Sequence, residues 1–280
     1  MRFNMLTRFR YTEDQDDFEH HACSITNLNL EHTAITVNFL EFLSTRPLLQ
    51  NLSNLSLGFN YISSAGADIL ARSTYLGNLS SLNLGLGTKN QEESCCLGAR
   101  GVAALCQANY LQNITHLNVA NNSIKVAGAI ALAESSILCK LTSLDIQFNE
   151  IGDEGVMALS LSRGLSSLTR LHLSNNQIGN DGVHFIARSA YLTNLMKLNL
   201  SSNQIGWEGA RLFAECNILS GLVRLDLQHN QICDAHVEAL AKSRYSRGLR
   251  NLGLGFRVNE EGAFVPMNMN FGPVPPFEPF

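Results

Sequence analysis

Cysteine and histidine are the residue types in this 280-residue chain that could support covalent chemistry. Cys95 and Cys96 are adjacent in an irregular segment, and we expect His116 to lie nearby in the fold. A thiolate paired with a histidine is a nucleophile, so this cluster would correspond to a Cys-dependent enzyme. The sequence places no third group that could orient the histidine. Two inert thiols in a loop are therefore the preferred interpretation.

A metal or phosphate site is the other chemical possibility. His20, His21 and Cys23 could ligate a metal, but a fourth ligand and the usual ligand spacing are missing. The segments GLGTKN at 85–90 and GLGFRVN at 253–259 lack the glycine spacing of a phosphate loop. The sequence therefore predicts no catalytic residue, no cofactor and no metal.

Composition restricts the class of partner. Charged residues are 16% of the chain, the net charge is −4, and the 20 basic residues are evenly spread, so we expect no nucleic acid. No stretch approaches the roughly 20 apolar residues that span a bilayer. The N-terminus lacks the apolar segment of a secretory signal, and seven cysteines without metal spacing indicate reduced thiols. A cytoplasmic protein with no membrane contact is expected.

A repeat dominates the sequence. The pattern L-x-x-L-x-L-x-x-N-x-I occurs in nine copies, of which the first, third and ninth are degenerate. Every step between copies is 27 residues except one of 35, which carries an insertion of eight. Such a fixed period is the signature of a repeat architecture. The first positions of the copies are 25, 52, 79, 114, 141, 168, 195, 222 and 249.

Each repeat predicts a strand, a turn and a helix. Leucines at positions four and six of the repeat alternate with polar residues, which indicates a strand with one buried face. The asparagine at position nine can hydrogen-bond the backbone of adjacent turns. Apolar residues then follow at helical spacing, as in Val183, Ile186 and Ala187. Because no unit can bury its own apolar side, the units must stack into a solenoid with one continuous core.

These motifs carry a resemblance to a known family. With the helical segments IGDEGVMAL, IGNDGVHFIA and IGWEGARLFA, the chain resembles leucine-rich repeat proteins of the ribonuclease-inhibitor subtype over residues 25–262. The resemblance implies an α/β horseshoe with a parallel concave sheet and convex helices. The chain is also similar to leucine-rich repeat effectors of intracellular bacterial pathogens, which implies a virulence role and delivery into a host cell cytosol.

The repeats divide the chain into three parts. Residues 1–24 are expected to form an N-terminal cap that includes an edge strand, because apolar Phe3, Met5, Phe9 and Tyr11 alternate with polar residues. Residues 25–262 form the leucine-rich repeat domain, with the insertion near 88–100 as a loop. Residues 263–280 hold five of the six prolines, so we expect a Pro-rich tail outside any helix or sheet interior.

The concave face is the predicted recognition surface. Positions three, five and seven should point out of the sheet, and in repeats five to eight they carry a mixed-sign patch biased to positive charge. Arg and large aromatics are the types enriched at binding hot spots. The phenylalanines at position eight are either rim contacts or a buried stack, and Trp207 is either an anchor or packing. The candidate partner-binding residues are Asp145, Gln147, Phe148, Arg170, His172, Lys197, Asn199, Arg224, Asp226, His229, Trp207 and Phe256.

The sequence thus favours a non-enzymatic recognition module that binds one folded protein through its concave face and is a monomer when alone. The resemblance implies an effector that inhibits or modulates another enzyme by covering its active site. An adaptor that presents a substrate to a larger complex is the alternative from another class. A Cys-dependent enzyme that uses the repeat-three loop is the third and least favoured hypothesis.

Overall fold

A computed structural model describes residues 2–4, 25–60, 62–85, 96–232, 240, 242–258 and 264–270. Its centre is one eleven-stranded sheet in which the strands follow each other in chain order. The first ten strands pair in parallel, and the last pairs antiparallel. The strands are β1 (Arg2–Asn4), β2 (Asn27–Asn29), β3 (Asn54–Ser56), β4 (Ser81–Asn83), β5 (His116–Asn118), β6 (Ser143–Asp145), β7 (Arg170–His172), β8 (Lys197–Asn199), β9 (Arg224–Asp226), β10 (Asn251–Val258) and β11 (Phe264–Asn270).

Helices form a second layer behind this sheet. Each described α-helix follows a repeat strand, and consecutive described helices pack against each other. Short 3-10 helices then return the chain to the sheet in several repeats, for example at Arg163–Leu165. The α-helices are α1 (Val37–Ser44), α2 (Ser64–Ala71), α3 (Gly98–Leu105), α4 (Lys125–Glu134), α5 (Gly152–Leu161), α6 (Asn180–Ala187) and α7 (Trp207–Glu215).

The core lies between the two layers and is built from equivalent leucines. In repeat six, Leu168, Leu171 and Leu173 are each at most 1% exposed, and the same positions are buried along the array. Burial of a leucine side chain stabilises the fold by about 1.5–3 kcal/mol. Because the strands pair with an offset of one whole repeat, each leucine meets its equivalent in the next repeat. The predicted nine-repeat α/β solenoid is thereby confirmed.

The asparagine at position nine connects the turns of neighbouring repeats. Asn176 is fully buried, and its Oδ1 accepts from the amides of Asn149 at 3.0 Å and Ile151 at 3.4 Å. Its Nδ2 donates to the carbonyls of Ile146 at 2.9 Å and Ser174 at 3.2 Å. The Ser174 carbonyl also accepts from the Phe148 amide, whereas the amides of Asn149 and Ile151 lie beyond the strand, so the side chain of Asn176 satisfies polar groups that would otherwise be buried without a partner. The predicted role of this asparagine is confirmed.

Helix starts are also satisfied by the preceding repeat. Asp153, in the first turn of α5, accepts the backbone amides of Gly179 at 2.7 Å and Gly182 at 2.9 Å with its Oδ1. Asn180 does the same for Gly206 and Gly209 at the start of α7. The unpaired amides of a helix N-terminus are therefore capped from one repeat to the next.

The two ends of the array differ from the expectation in one respect. At the N-terminus, β1 pairs in parallel with β2, as an edge strand before the first repeat should, while residues 5–24 lie outside the described residues. At the C-terminus, the Pro-rich tail expected over residues 263–280 lies outside any sheet interior as far as it is described, but the expectation did not include a strand at Phe264–Asn270. These residues form β11, antiparallel to β10. An edge strand tolerates Pro266, because only one of its sides must donate hydrogen bonds.

The insertion in repeat three is only partly visible. Residues 86–95 lie outside the described residues, and α3 begins at Gly98, within the interval expected to be loop. Cys96 and Leu97 precede this helix and are buried. The carbonyl of Asn122 in the following repeat accepts from the Gly98 amide at 3.0 Å, which joins the helix start to repeat four.

We expect Asn176→Ala to lower the free energy of unfolding by about 3 kcal/mol, because two backbone amides and two carbonyls lose a buried partner. Urea unfolding followed by circular dichroism measures the change. Asn194→Ala is the control, since Asn194 is exposed and its Nδ2 donates to the carbonyl of Ser166 at the protein surface. Equal losses in the two variants would contradict a special role for the buried amide.

Serine hydroxyls form a second series of bonds, where the helices end. Ser189 Oγ donates to the carbonyl of Ser160 at 2.6 Å, 29 residues earlier, and Ser162 Oγ donates to Ala133 at 2.5 Å. In repeat seven this position is Cys216, whose Sγ instead contacts the carbonyl of Phe213 at 3.4 Å within its own repeat. Burial raises the pKa of this thiol, against several backbone hydrogen bonds that lower it. The cysteine is therefore a weak substitute for a hydroxyl donor.

We expect Cys216→Ser to stabilise the protein by about 0.5–1 kcal/mol, because the new hydroxyl can donate to the carbonyl of Ala187, 29 residues earlier. The reciprocal variant Ser189→Cys should destabilise it by a similar amount. Thermal or urea unfolding measures both. A destabilised Cys216→Ser protein would show that the thiol packs better than the hydroxyl bonds.

Candidate functional site

Each repeat strand ends in a turn whose backbone amides need hydrogen-bond acceptors, and some side chains of the concave face serve as these acceptors. Position eight of seven described repeats has a left-handed backbone with φ between 54° and 60°, at His32, Phe59, Asn121, Phe148, Asn175, Ser202 and His229. The amides of positions six and eight bond the next repeat, as Ile146 and Phe148 do to His172 and Ser174. The amide of position seven therefore needs a different partner.

The side chain at position five supplies that partner. Asp145 accepts the amide of Gln147 at 3.2 Å, Asn199 accepts that of Ser201 at 2.9 Å, and Asp226 accepts that of Gln228 at 3.0 Å. Asn199 is also only 7% exposed. Asp145, Asn199 and Asp226, which were predicted to contact a partner, therefore have a structural role in the strand ends.

The sheet brings three cations into one row. Arg170 pairs in register with Lys197, and Lys197 pairs in register with Arg224, all at position three of their repeats. Adjacent parallel strands lie about 4.8 Å apart, so these cations are neighbours on the concave face. All three residues are partly exposed. The predicted residues Arg170, Lys197 and Arg224 are thus brought together.

Arg170 also reaches back across one strand to His116. Its Nη2 lies 2.7 Å from His116 Nε2, while His116 Nδ1 lies 2.9 Å from Thr115 Oγ1. Because that hydroxyl donates to the carbonyl of Ser80, we assign the imidazole proton to Nδ1, which leaves Nε2 to accept from Arg170. Burial lowers the pKa of His116, and the charge of Arg170 lowers it further. The histidine is therefore a neutral acceptor at neutral pH.

His172 lies in a closed network beside the row. Asn199 Nδ2 is 2.6 Å from His172 Nε2, and the amide orientation is fixed because Oδ1 accepts from Ser201. Ser174 Oγ lies 3.1 Å from the same nitrogen and donates to Gln147 Oε1 at 3.2 Å. His172 Nδ1 lies 3.4 Å from Asp145 Oδ2. The predicted residues Asp145, Gln147, His172 and Asn199 thus form one network.

Ser174, His172 and Asp145 are the residue types of a serine–histidine–aspartate catalytic triad, but they do not have the geometry of one. Asn199 donates to the nitrogen of His172 that would have to accept the proton of Ser174. Ser174 is also only 4% exposed, so a substrate has little access to its hydroxyl. The network therefore stiffens the concave face rather than activating Ser174.

The other chemical candidates gain no support. Cys96 is 7% exposed, and Cys95 lies outside the described residues. Burial raises the pKa of Cys106 to about 12, although a bond from Ser135 lowers it, so this thiol is not a nucleophile at neutral pH. Within the described ranges no group of three His, Cys, Asp or Glu could hold a metal ion. The candidate ligands His20, His21 and Cys23 lie outside those ranges.

The early repeats carry their own network, which the sequence interpretation missed. Glu31 Oε1 accepts from Ser56 Oγ at 2.5 Å and from Asn83 Nδ2 at 2.9 Å, so one carboxylate joins three strands. Asn83 Nδ2 also lies 3.0 Å from Ser56 Oγ. This half of the concave face satisfies its own polar groups, whereas the later half presents cations.

The aromatic residues are placed differently from one another. Phe59 is 39% exposed and stacks on His32 at 3.9 Å between ring centroids, so it is not part of a buried stack. Phe148 is half-buried and His229 is exposed, both in the left-handed turns. The side chain of Phe256 lies outside the described residues. Trp207 starts α7, is 50% exposed, and has Arg211 over its ring at 5.8 Å, so it belongs to the helix layer.

Three residues near the row were absent from the prediction. His116 is one, because its contact with Arg170 spans two strands and no local pattern shows it. Met196, which is 49% exposed, and exposed Arg250 are the others. Both occupy position two of their repeats, which is Ser or Thr in repeats one to six and changes after that. This change in the sequence could have identified them.

None of the helices in the described part is long and apolar enough to cross a membrane. This finding concerns the ranges given above.

The repeat is shared with a known protein family. The family model described as Leucine Rich repeat matches residues 110–133, 138–160, 164–187 and 191–214. No curated protein matches the chain. A solved leucine-rich repeat protein of Leptospira interrogans is similar over 87% of this chain, with 17% sequence identity and a TM-score of 0.46. This chain covers 52% of the length of that protein.

The four matched segments run from the return of one repeat, through its strand, into its helix, and they include β5, β6, β7 and β8. On the N-terminal side the same arrangement continues in repeat two, with β3, buried Asn60 and α2, and on the C-terminal side β9 and half-buried Asn230 continue it. The chain therefore has the fold of a leucine-rich repeat solenoid.

Proposed function

We propose that this protein is a non-enzymatic recognition module whose concave face, in repeats five to eight, binds one folded protein. The observation that supports it most is the registered row of Arg170, Lys197 and Arg224 over a pre-formed polar network. Side chains that are already held lose less conformational entropy on binding. A rigid, curved sheet therefore offers a large contact surface without a pocket.

The partner we propose is an enzyme whose active site is covered by this face. A solenoid surface can extend over a convex partner across several repeats, and arginine is enriched in the hot spots of such interfaces. The proposal includes, from the resemblance noted above, action in a cytosol and delivery into a host cell.

We expect the double variant Arg170→Glu/Arg224→Glu to lose the partner that the intact protein retains. Like charges would then replace complementary ones at the centre of the interface, which costs at least about 2 kcal/mol, or about thirtyfold in affinity. Affinity capture from host and source-cell lysates, followed by mass spectrometry, compares the two forms. Circular dichroism verifies that the variant is folded.

The matched control is Met157→Glu/Arg188→Glu, on the exposed surface of the helix layer. It should retain the partner, because it leaves the concave face unchanged. A partner lost from the helix-layer variant and kept by the concave variant would move the binding surface to the helices.

We also expect the concave face to respond to mild acid. The pKa of His116 is lowered from 6.5, so protonation is less favourable in the folded than in the unfolded protein. Its contribution to stability is therefore constant above pH 6.5 and decreases as the pH falls from 6.5 through the lowered pKa. Protonation also removes the acceptor of Arg170 and adds a like charge beside it.

Urea unfolding at pH 7.5 and 5.0 measures this effect, with His116→Gln as the comparison. A glutamine carbonyl can accept from Arg170 but does not titrate, so the variant should lose less stability on acidification than the parent. An equal loss in both proteins would show that other groups cause the pH dependence.

A further inference from the structure

A row of hydroxyls runs across repeats two to six, at the residue before each strand. At position two of these repeats, the Ser or Thr side chain donates to the backbone carbonyl of the equivalent residue one repeat earlier. Thr169 Oγ1, for example, donates to the carbonyl of Thr142 at 3.1 Å. The equivalent donors are Ser53, Ser80, Thr115 and Thr142. This arrangement adds one hydrogen bond to each of the first five repeat boundaries.

The row stops after Thr169, although the backbone does not change. Position two becomes Met196, Val223 and Arg250 in the last three repeats. The amides still bond as before, since Met196 donates to the carbonyl of Thr169 at 2.9 Å and Arg250 donates to that of Val223 at 2.9 Å. Threonine would therefore fit this backbone. Folding gains little from a methionine that is 49% exposed.

The cations begin at the same place. Position three is Asn, Asn, Ser, His and Ser in repeats one to five, and then Arg170, Lys197 and Arg224. Like charges opposite each other in neighbouring strands are destabilising. A sequence that gives up a stabilising pattern and accepts repulsion within the same repeats indicates selection for binding rather than folding.

Arg170 supplies an independent observation. The side chain of Arg170 bonds to His116, which is neutral, so this contact does not neutralise the guanidinium. Its Nε is buried and has no hydrogen-bond acceptor within the described residues. A carboxylate can accept from two guanidinium nitrogens at once, which a histidine cannot.

We propose that this basic edge, formed by Arg170, Met196, Lys197, Val223, Arg224 and Arg250, binds an acidic segment of the protein partner that also carries an apolar side chain. The carboxylates would pair with the cations at position three, and the apolar side chain would cover Met196. This proposal rests on the proposed function and specifies the chemistry of its partner. A protein is favoured over a nucleic acid, because the net charge of the chain is −4 and phosphates gain nothing from exposed methionine.

The test uses fluorescein-labelled 12-residue peptides and the full chain in anisotropy titrations. One peptide contains eight glutamates and four leucines, a second has serine for leucine, and a third has lysine for glutamate. We expect the acidic leucine peptide to bind most tightly, the serine peptide more weakly and the lysine peptide not at all. Added salt should weaken the binding, since exposed charges are screened.

The decisive variants separate charge from apolar contact. Arg170→Gln/Arg224→Gln should weaken binding of both acidic peptides by about tenfold. Met196→Thr should weaken binding of the leucine peptide and leave that of the serine peptide unchanged. The new threonine hydroxyl can donate to the Thr169 carbonyl and so extend the hydroxyl row. The melting temperature of the Met196→Thr variant should therefore be equal to or above that of the parent, which would exclude misfolding as the cause of weaker peptide binding.

Absence of acidic-peptide binding, binding that the arginine variant leaves unchanged, or equal binding of a labelled 12-nucleotide single-stranded DNA would each overturn the proposal. The lysate capture distinguishes this failure from failure of the proposed function. A partner captured through Arg170 and Arg224, with no affinity for acidic peptides, would keep concave recognition and exclude the acidic segment.

Discussion

The buried asparagine at position nine is the interaction on which the rest of this structure depends. Every repeat must leave its strand through a tight turn whose amides and carbonyls face away from the sheet, inside the protein. A side chain with two donor hydrogens and one acceptor oxygen can serve both groups, and Asn149, Asn176 and Asn203 do so in neighbouring turns. Since each amide bonds backbone of its own repeat and of the preceding one, repeats joined in this way must have the same turn. Steps of 27 residues between all copies but one keep these turns equivalent.

The constant period in turn creates the candidate site. Because neighbouring strands pair with a one-repeat offset, equivalent positions form rows across the sheet, and a row has the chemistry of one repeat position. Position five is largely committed to the amide at position seven, which leaves position three as the row free to vary in chemistry. There the chain changes from neutral residues to Arg170, Lys197 and Arg224. The change from neutral to basic side chains along the concave face is thus a property of one row, at position three.

The sequence was sufficient for the fold, since period and alternation report burial directly, as Leu171 and Leu173 show. It was less informative about the site. The bond between Arg170 and His116 joins residues 54 positions apart, and only the three-dimensional register shows that they meet. Asp145 and Asn199 look like surface contacts in the sequence when each is taken alone, although Asn or Asp at position five of six of the nine repeats is a periodic signal of their bond to the backbone two residues later. The strand Phe264–Asn270 was missed because proline content outweighed the fact that an array end needs a partner for its exposed edge.

The two halves of the concave face show how one scaffold separates stability from recognition. In the early repeats, Glu31 is satisfied by Ser56 and Asn83, so its charge is used within the protein. In the later repeats, Arg170 has a neutral acceptor, and the hydroxyl row that would add a bond at each boundary has ended. A stacked array can accept this local cost, because its stability is the sum of many repeat boundaries and the others are unaffected. The late repeats are therefore the place where binding chemistry can be added without loss of the fold.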